Sequence, residues 1–184
     1  MPLLNDFKGN YSLGYGEDKM QADVQKWLHD YTFWKATEEG YRREKVKMKT
    51  YREIHIPEIG RRSDLIVFFT KRKIFNIELK LFDVGEVFRQ ALDHKRWANY
   101  SYVCMPHNVY IADSDKQRMI AEGIGLLLWI PEFGLIESIY AAHQSSGKLN
   151  KQIRENVLKT LKREDWKTSQ QQFDFKTIPT EKSN

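Results

Sequence analysis

Two apolar runs joined by a short segment constrain the fold of this chain more than any other feature of its sequence. The runs, 64–69 and 74–81, are rich in β-branched and aromatic side chains, and the segment between them is polar and basic. Runs of this kind on either side of a turn predict two strands of a buried hairpin. Asp64 opens the first run, whereas Glu78 and Lys80 stand near the end of the second. Folding the chain back at the turn therefore brings one charged residue beside two others.

The pairing of the two strands decides whether these side chains meet. The pleat of a strand puts every second side chain on the same face, so Glu78 and Lys80 point the same way. Asp64 joins them only if it lies opposite residue 78 or residue 80. An even-length symmetric loop would place Asp64 opposite Leu79, whose side chain is on the other face. We therefore predict an odd-length loop or a β-bulge in this hairpin.

The rest of the chain alternates between helical and strand patterns. Apolar residues at helical spacing predict helices over 17–34, 83–99 and 114–122. Asp83 is a suitable N-cap for the second of these helices, and Gly123 is a suitable C-cap for the third. Apolar runs bounded by turn residues predict further strands over 51–57, 100–105, 124–130 and 135–140. This order of elements predicts an α/β fold with a mixed central β-sheet flanked by helices.

Composition and charge exclude some classes of protein. The chain has 184 residues, of which 41% are hydrophobic and 30% are charged, as is typical of a globular domain. No apolar run approaches the roughly 20 residues that cross a bilayer, so we expect no membrane association. The net charge of +5 favours a polyanionic partner. The single cysteine, Cys104, lies in an apolar run, and we expect a buried thiol in an intracellular, cytoplasmic protein, whether a cell, a virus or a plasmid encodes it.

The charged ends of the hairpin suit the hydrolysis of a phosphodiester. That reaction needs a divalent cation, an activated water and positive charge beside the phosphate. Asp64 and Glu78 supply carboxylate oxygens, which Mg²⁺ prefers as ligands, from adjacent strands. The Lys80 ammonium can orient or deprotonate the attacking water and stabilise the developing charge. Because charge on a buried strand is costly without a partner, the pattern favours a functional site over a solvated strand end.

At these positions the chain resembles the PD-(D/E)XK, or restriction-endonuclease-like, nuclease superfamily. Ser63-Asp64 matches the first element of the family motif, with serine where the family name has proline, and Glu78-Leu79-Lys80 matches the second. The order helix, strand, hairpin, helix, strand, from the first predicted helix to the last predicted strand, is similar to the common core of the family. The resemblance implies a restriction-endonuclease-like core and metal-dependent cleavage of nucleic acids, usually DNA.

Each matching position carries a role that the resemblance implies. Asp64 and Glu78 would bind Mg²⁺, with Mn²⁺ able to substitute, and the backbone carbonyl of Leu79 would be a further ligand. Lys80 would position the nucleophilic water. Many members also have a catalytic glutamine on the following helix, and Gln90 is the residue that matches it here.

Some members of the superfamily add an acid from the first helix to the site. Glu17 is the nearest candidate for that additional acid in this sequence. Asp18 and Asp23 lie on the same predicted helix and are alternatives to it.

Basic residues near the motif are candidate contacts to the backbone of a nucleic acid. Arg61 and Arg62 directly precede the first motif element and could hold phosphates. Lys95 and Arg96, on the polar side of the second predicted helix, are further candidates. Their neighbour His94 could approach the site from that helix, but we expect a surface histidine.

We divide the chain into four segments. They are an irregular N-terminal arm (1–16), a PD-(D/E)XK nuclease-like core domain (17–143), a basic C-terminal helix (144–165) and a polar tail expected to be flexible (166–184). In the tail, Gln172, Phe173 and Phe175 are similar to a short peptide that binds a sliding clamp.

These patterns lead to two functional hypotheses. The first is a Mg²⁺-dependent deoxyribonuclease in DNA replication, repair, recombination or defence, with an endonuclease favoured over an exonuclease. The alternative is a non-catalytic DNA-binding module that uses the same fold. The intact motif acids and lysine favour the enzyme, because a pure binder has little reason to retain them. A homodimer is consistent with the first hypothesis, since cutting two strands benefits from two sites.

Overall fold

Six strands form a single mixed sheet, and their order in space follows their order in the chain. The computed structural model describes residues 13–38, 48–69, 73–145 and 149–176, with side chains over 16–28, 48–68, 73–145 and 149–165. The strands are β1 (Met48–Ile56), β2 (Arg61–Phe69), β3 (Lys73–Leu79), β4 (Tyr100–Pro106), β5 (Gly125–Ile130) and β6 (Leu135–Tyr140). The helices are α1 (Leu13–Glu38), α2 (Val84–His94), α3 (Asp113–Glu122) and α4 (Lys151–Lys176).

Both parallel strand pairs are connected through a helix. β2 is antiparallel to both β1 and β3. β4 is parallel to β3, and β5 is parallel to β4. The last strand, β6, is antiparallel to β5. A parallel pair needs a long crossover, which α2 provides between β3 and β4 and α3 provides between β4 and β5. The predicted α/β fold with a mixed sheet and helices is confirmed.

Two apolar clusters hold the helices on the sheet. The cluster that includes α1 contains Met20, Val24, Leu28, Leu65, Val67, Ile77, Leu79 and Trp129. The cluster that includes α2 and α3 contains Val87, Phe88, Ala91, Val103, Met105, Met119 and Leu126. Burial of these side chains is the main favourable contribution to folding, at about 25 cal/mol for each Å² of apolar surface removed from water.

The central hairpin has the register that would bring its charged ends together. Leu65 pairs with Ile77, and the last pair before the turn is Phe69 with Lys73, so three residues separate the paired ends. The prediction of an odd-length loop is confirmed by this register, although residues 70–72 lie outside the described part of the chain. The ladder ends at Leu65 and Ile77, and continuing its register by one position sets Asp64 opposite Glu78.

The predicted caps of α2 and α3 are confirmed. Asp83 Oδ1 accepts a hydrogen bond of 2.8 Å from the backbone N–H of Glu86, as an N-cap does. Gly123 has φ +64°, and its N–H bonds to the last turn of α3. However, α2 ends at His94 instead of near residue 99. Ala98, which extended the helical pattern, is buried after the end of the helix, as is its neighbour Trp97.

The segments at the two ends of the chain have boundaries that differ from the prediction. The first helix begins at Leu13, because its early glycines cost only about 1 kcal/mol each in a helix and do not prevent one. The last helix runs to Lys176, well into the predicted tail, since 151–176 contains neither proline nor glycine. The outermost parts of the predicted arm and tail, 1–12 and 177–184, lie outside the described residues.

The chain divides into two compact units, Met1–Leu149 and Asn150–Asn184. The sheet and the first three helices belong to the first unit, and α4 belongs to the second. The backbone N–H of Ile153 donates to Asn150 Oδ1 at 3.1 Å, which caps the start of α4. The buried stripe of this helix, Ile153, Val157 and Leu161, has the spacing of an amphipathic helix.

Substituting Gly125 tests the packing of the sheet. A Cβ atom there would overlap the ring of Tyr102 and would lie 2.8 Å from the backbone nitrogen of Ala142. We expect Gly125→Ala to lower the free energy of unfolding by about 1–3 kcal/mol, as overpacking does. Gly85→Ala is the matched control, because its nearest neighbour would be Asp83 Oδ1 at 3.6 Å. It should raise stability by about 0.5 kcal/mol through helix propensity. Urea denaturation of both variants makes the comparison, and equal stabilities would contradict it.

Candidate functional site

A cleft of about 270 Å³ lies where β2 and β3 separate. It forms there because the β2–β3 ladder stops at Leu65 and Ile77, while β2 continues back to Arg61 beside β1. Most of the predicted site residues line it: Glu17, Arg61, Arg62, Asp64, Leu79, Lys80 and Gln90. The structure thus brings together residues from α1, both hairpin strands and α2, with Glu53 as an unpredicted member.

Asp64 is fixed at the base of this cleft by two hydrogen bonds. Its Oδ2 accepts from the backbone N–H of Leu79 at 2.8 Å, and its backbone carbonyl accepts from Gln21 Nε2 at 2.9 Å. Burial raises the pKa of Asp64 to about 6, and the negative charges of Glu53 and Glu17 add to that rise. The Leu79 N–H opposes it. One carboxylate oxygen is therefore held by a backbone donor, in an environment that disfavours its negative charge.

Glu78 lies close to Asp64 but does not line the cleft. Its side chain is fully buried, and neither carboxylate oxygen has a hydrogen-bond partner among the described residues. Burial raises the pKa of Glu78 well above its ordinary value, and the charge of Asp64 raises it further. Two adjacent carboxyls with raised pKa values repel each other when both are ionised, so this arrangement favours a bound proton or a bound cation.

His94 is a buried neighbour of Glu78, which makes the prediction of a surface histidine wrong. Its Nε2 lies 3.4 Å from Glu78 Oε1, and both side chains have no exposed surface. Burial lowers the pKa of His94 to about 4, so the ring is neutral at physiological pH. The signal for burial was in the sequence: His94 continues the helical stripe of Val87 and Ala91, which are both buried.

The acid from α1 that reaches the cleft is Glu17. Burial raises the pKa of Glu17, whereas the positive charge of Lys80 lowers it. Asp18 is exposed, and Asp23 accepts a hydrogen bond of 2.9 Å from Trp129 Nε1 elsewhere in the fold. The geometry therefore separates the three acids that the sequence left as alternatives.

Glu53 was missed because its position depends on an unusual backbone conformation. It has φ +56°, the one positive φ outside glycine in the described part of the chain, and its position in the β1–β2 register is opposite Asp64. Its charge raises the pKa of Asp64. No residue pattern in β1 indicates a left-handed residue there, so only the structure could identify it.

The two arginines beside the motif differ in how they are held. Arg61 donates to Asp93 Oδ2 at 2.6 Å and to Glu86 Oε1 at 3.0 Å, so both of its contacts are to α2. Arg62 pairs with Glu53 at 2.8 Å, and its side chain is 61% exposed. Since exposed ion pairs are weak, Arg62 is the arginine that can exchange its partner for a phosphate.

Two predicted nucleic-acid contacts are not brought to the cleft. Lys95 donates to the backbone carbonyl of Glu122 at the end of α3, and neither Lys95 nor Arg96 lines the cleft. The side chains of Gln172, Phe173 and Phe175 lie outside the described residues, so the clamp-binding peptide stays a prediction.

The donor set fits Mg²⁺ in chemistry but not as a preformed cage. Within the described residues, no group of three or more histidine, cysteine, aspartate or glutamate side chains is arranged to hold a metal ion. The available donors are the carboxylates of Asp64 and Glu78 and the carbonyl of Leu79. Mg²⁺ keeps several waters and needs few protein groups, and the unpartnered oxygens of Glu78 suit a cation.

The structure also bears on membrane-spanning helices and on the single cysteine. No helix in the described ranges is long and apolar enough to cross a membrane. Cys104 is fully buried, and burial raises the pKa of its thiol, as expected of a core cysteine and not of a nucleophile.

The raised pKa of Asp64 makes a prediction about stability. A carboxyl with a higher pKa in the folded than in the unfolded state binds a proton on folding, so its contribution to stability falls as pH rises from 3.8 to about 6. In metal-free buffer at pH 7.5, we expect Asp64→Asn to raise the free energy of unfolding by about 1–3 kcal/mol. Below pH 4 the difference should vanish. Urea denaturation at both pH values measures it, and a variant less stable at pH 7.5 would contradict it.

Comparisons with known proteins give no family assignment. No protein-family model matches the sequence, and no curated protein matches it. Among solved structures, the chain is similar to a protein of unknown function from Silicibacter pomeroyi, at 16% sequence identity and a TM-score of 0.49. The match covers 73% of this chain and 86% of that one.

Proposed function

We propose that this protein is a divalent-metal-dependent nuclease that hydrolyses DNA phosphodiester bonds. The observation that carries the proposal is the pair of adjacent carboxyls at the end of the β2–β3 ladder. The pKa values of Asp64 and Glu78 are both raised, and the oxygens of Glu78 have no hydrogen-bond partner among the described residues. A divalent cation between them would compensate both the burial and the mutual repulsion.

The order of elements supports a restriction-endonuclease-like core. A helix, three antiparallel strands, a second helix and a strand parallel to the third follow one another from α1 to β4. That is the order expected from the resemblance to the PD-(D/E)XK superfamily. The motif residues fall at the end of β3 and near the start of β2, beside the cleft.

The roles of the residues follow from their positions. Asp64, Glu78 and the Leu79 carbonyl would hold Mg²⁺ or Mn²⁺, which supplies Lewis acidity and lowers the pKa of a bound water. Lys80 lines the cleft and would orient the attacking water, and its positive charge would stabilise the phosphate as negative charge develops. Gln90 offers a neutral amide to the same space, and Glu17 adds a further carboxylate.

Charge supports a polyanionic substrate. The chain carries a net charge of +5, and the exposed Arg62 stands at the cleft. A polyanion with regularly spaced phosphates fits this combination, and the resemblance to the PD-(D/E)XK superfamily favours DNA. We propose an endonuclease that acts inside the cell in replication, repair, recombination or defence. A homodimer is part of this proposal where the substrate is cut on both strands.

A cleavage assay tests the activity. Wild-type protein is incubated with duplex, single-stranded, flapped and branched DNA, with Mg²⁺, with Mn²⁺ and with EDTA. We expect cleavage only with metal, and a loss of at least about 100-fold in Asp64→Ala, Glu78→Ala and Lys80→Met. Lys73→Met is the matched control for Lys80→Met, because Lys73 is an exposed lysine at the other end of β3, beside the turn.

The outcomes of this assay separate the two hypotheses. Cleavage that persists in Asp64→Ala and Glu78→Ala would contradict the assigned site. Metal-independent binding of DNA without cleavage of any substrate would favour the non-catalytic module instead.

The two arginines give a separate prediction about DNA binding. Arg62→Ala should weaken DNA binding and reduce the slope of log affinity against log salt by about 1, because it removes one phosphate contact. It should leave stability unchanged, since the ion pair with Glu53 is exposed. Arg61→Ala should instead lower the melting temperature, because Arg61 ties β2 to two acids of α2. Fluorescence anisotropy across a salt series and thermal unfolding measure both effects, and an unchanged salt slope in Arg62→Ala would refute the assignment.

A further inference from the structure

We propose that Trp97 and His94 form a buried hydrogen-bonded pair that orients the Glu78 carboxylate, which makes His94 a positioning residue of the metal site. The inference rests on the proposed function, in which Glu78 is a metal ligand. It assigns a role to two residues that the motif does not include.

The contact between Trp97 and His94 decides which nitrogen of the imidazole carries the proton. Trp97 Nε1 lies 3.2 Å from His94 Nδ1, and the two rings meet edge to face at 86°. An indole N–H can only donate a hydrogen bond, so Nδ1 must accept it. A neutral imidazole that accepts at Nδ1 carries its proton on Nε2. The tryptophan therefore selects the tautomer in which Nε2 is a donor.

The Nε2 donor makes no hydrogen bond within the described part of the chain, and the Glu78 carboxylate lies just beyond bonding distance from it. His94 Nε2 is 3.4 Å from Glu78 Oε1, and the backbone carbonyl of Arg62 is a second acceptor near the ring. The side chains of Glu78, His94 and Trp97 are all fully buried, so bulk water does not compete for this proton. The separation exceeds that of a well-formed N–H···O bond by about half an ångström, and a small movement of Glu78 would complete the bond.

A donor behind a metal-binding carboxylate has a defined effect. The glutamate side chain has several rotatable bonds, and ordering it costs free energy that a ligand must otherwise supply. Fixing Oε1 on His94 leaves Oε2 as the oxygen available to a cation beside Asp64. Outer contacts of this kind change metal affinity by about 10–100-fold in metalloproteins. The histidine thus contributes through Glu78 and never touches the substrate.

The competing explanation is an ordinary core histidine. In that case an apolar side chain of similar size would leave metal binding unchanged and alter only stability. The two explanations therefore differ in metal affinity, which stability alone does not determine.

Calorimetric titration of the full-length protein with Mn²⁺ distinguishes them. We expect His94→Leu to bind Mn²⁺ about 10–100-fold more weakly than wild type. His94→Gln, whose amide nitrogen can replace the Nε2 donor, should recover most of that loss. His107→Leu, at an exposed turn, is the matched control and should bind as wild type does. Thermal unfolding of each variant confirms that the comparison is between folded proteins.

Nitrogen NMR of the histidine ring provides a readout that needs neither metal nor activity. Wild-type His94 should be the neutral tautomer protonated at Nε2, and Trp97→Phe should give a mixture of tautomers with weaker Mn²⁺ binding. These two measurements, with His94→Gln, decide the question if His94→Leu does not fold.

The outcomes that overturn the inference are separate from those that overturn the proposed function. Wild-type His94 protonated at Nδ1, or variants at positions 94 and 97 with wild-type Mn²⁺ affinity, would overturn the positioning role alone. Wild-type protein that binds Mn²⁺ but cuts no DNA would overturn the nuclease and would leave the positioning role supported if His94→Leu weakens binding. Wild-type protein that binds no Mn²⁺ would overturn both.

Discussion

The rest of the site depends on one constraint: two carboxyls stand side by side where a strand pair comes apart. The ladder between β2 and β3 ends at Leu65 and Ile77. Beyond that point, the backbone N–H of Leu79 donates to the Asp64 side chain instead of to a strand carbonyl. The end of this ladder therefore both opens the cleft and orients Asp64. It also leaves Glu78 buried beside Asp64. Burial is the main cause of the raised pKa of each acid, and the charge of Asp64 raises the pKa of Glu78 further.

Such an arrangement costs stability, and the surrounding fold offsets that cost. Apolar clusters lie on both faces of the sheet, and Leu65 and Leu79, the chain neighbours of the two acids, belong to one of them. Strained or repulsive features persist in proteins when the neighbouring structure is stable enough to hold them. The left-handed backbone conformation of Glu53, across from Asp64, is another strained feature of this kind. The proposed function therefore uses residues whose arrangement lowers stability.

The sequence was sufficient for features that depend on local pattern. The hairpin, the Asp83 cap and the α/β order follow from periodicity or from the chemistry of single turns. The odd-length loop follows from the requirement that Asp64 share a strand face with Glu78 and Lys80. The features that the sequence did not predict depend on contacts between distant parts of the chain. The burial of His94 was visible as a helical stripe but was outweighed by its polar neighbours. The left-handed φ of Glu53 and the binding of Arg61 to α2 leave no trace in a single sequence, because each is decided by which surfaces meet.

The two contacts of Arg61 have a mechanical consequence. Glu86 lies in the first turn of α2 and Asp93 in the last, so one guanidinium fastens both ends of the helix to the start of β2. These ion pairs couple α2 to the start of β2, and Gln90, between the two acids, lies on the coupled helix. Arg62 and Glu53 also line the cleft, and because their ion pair is exposed, it can open without breaking the two contacts of Arg61.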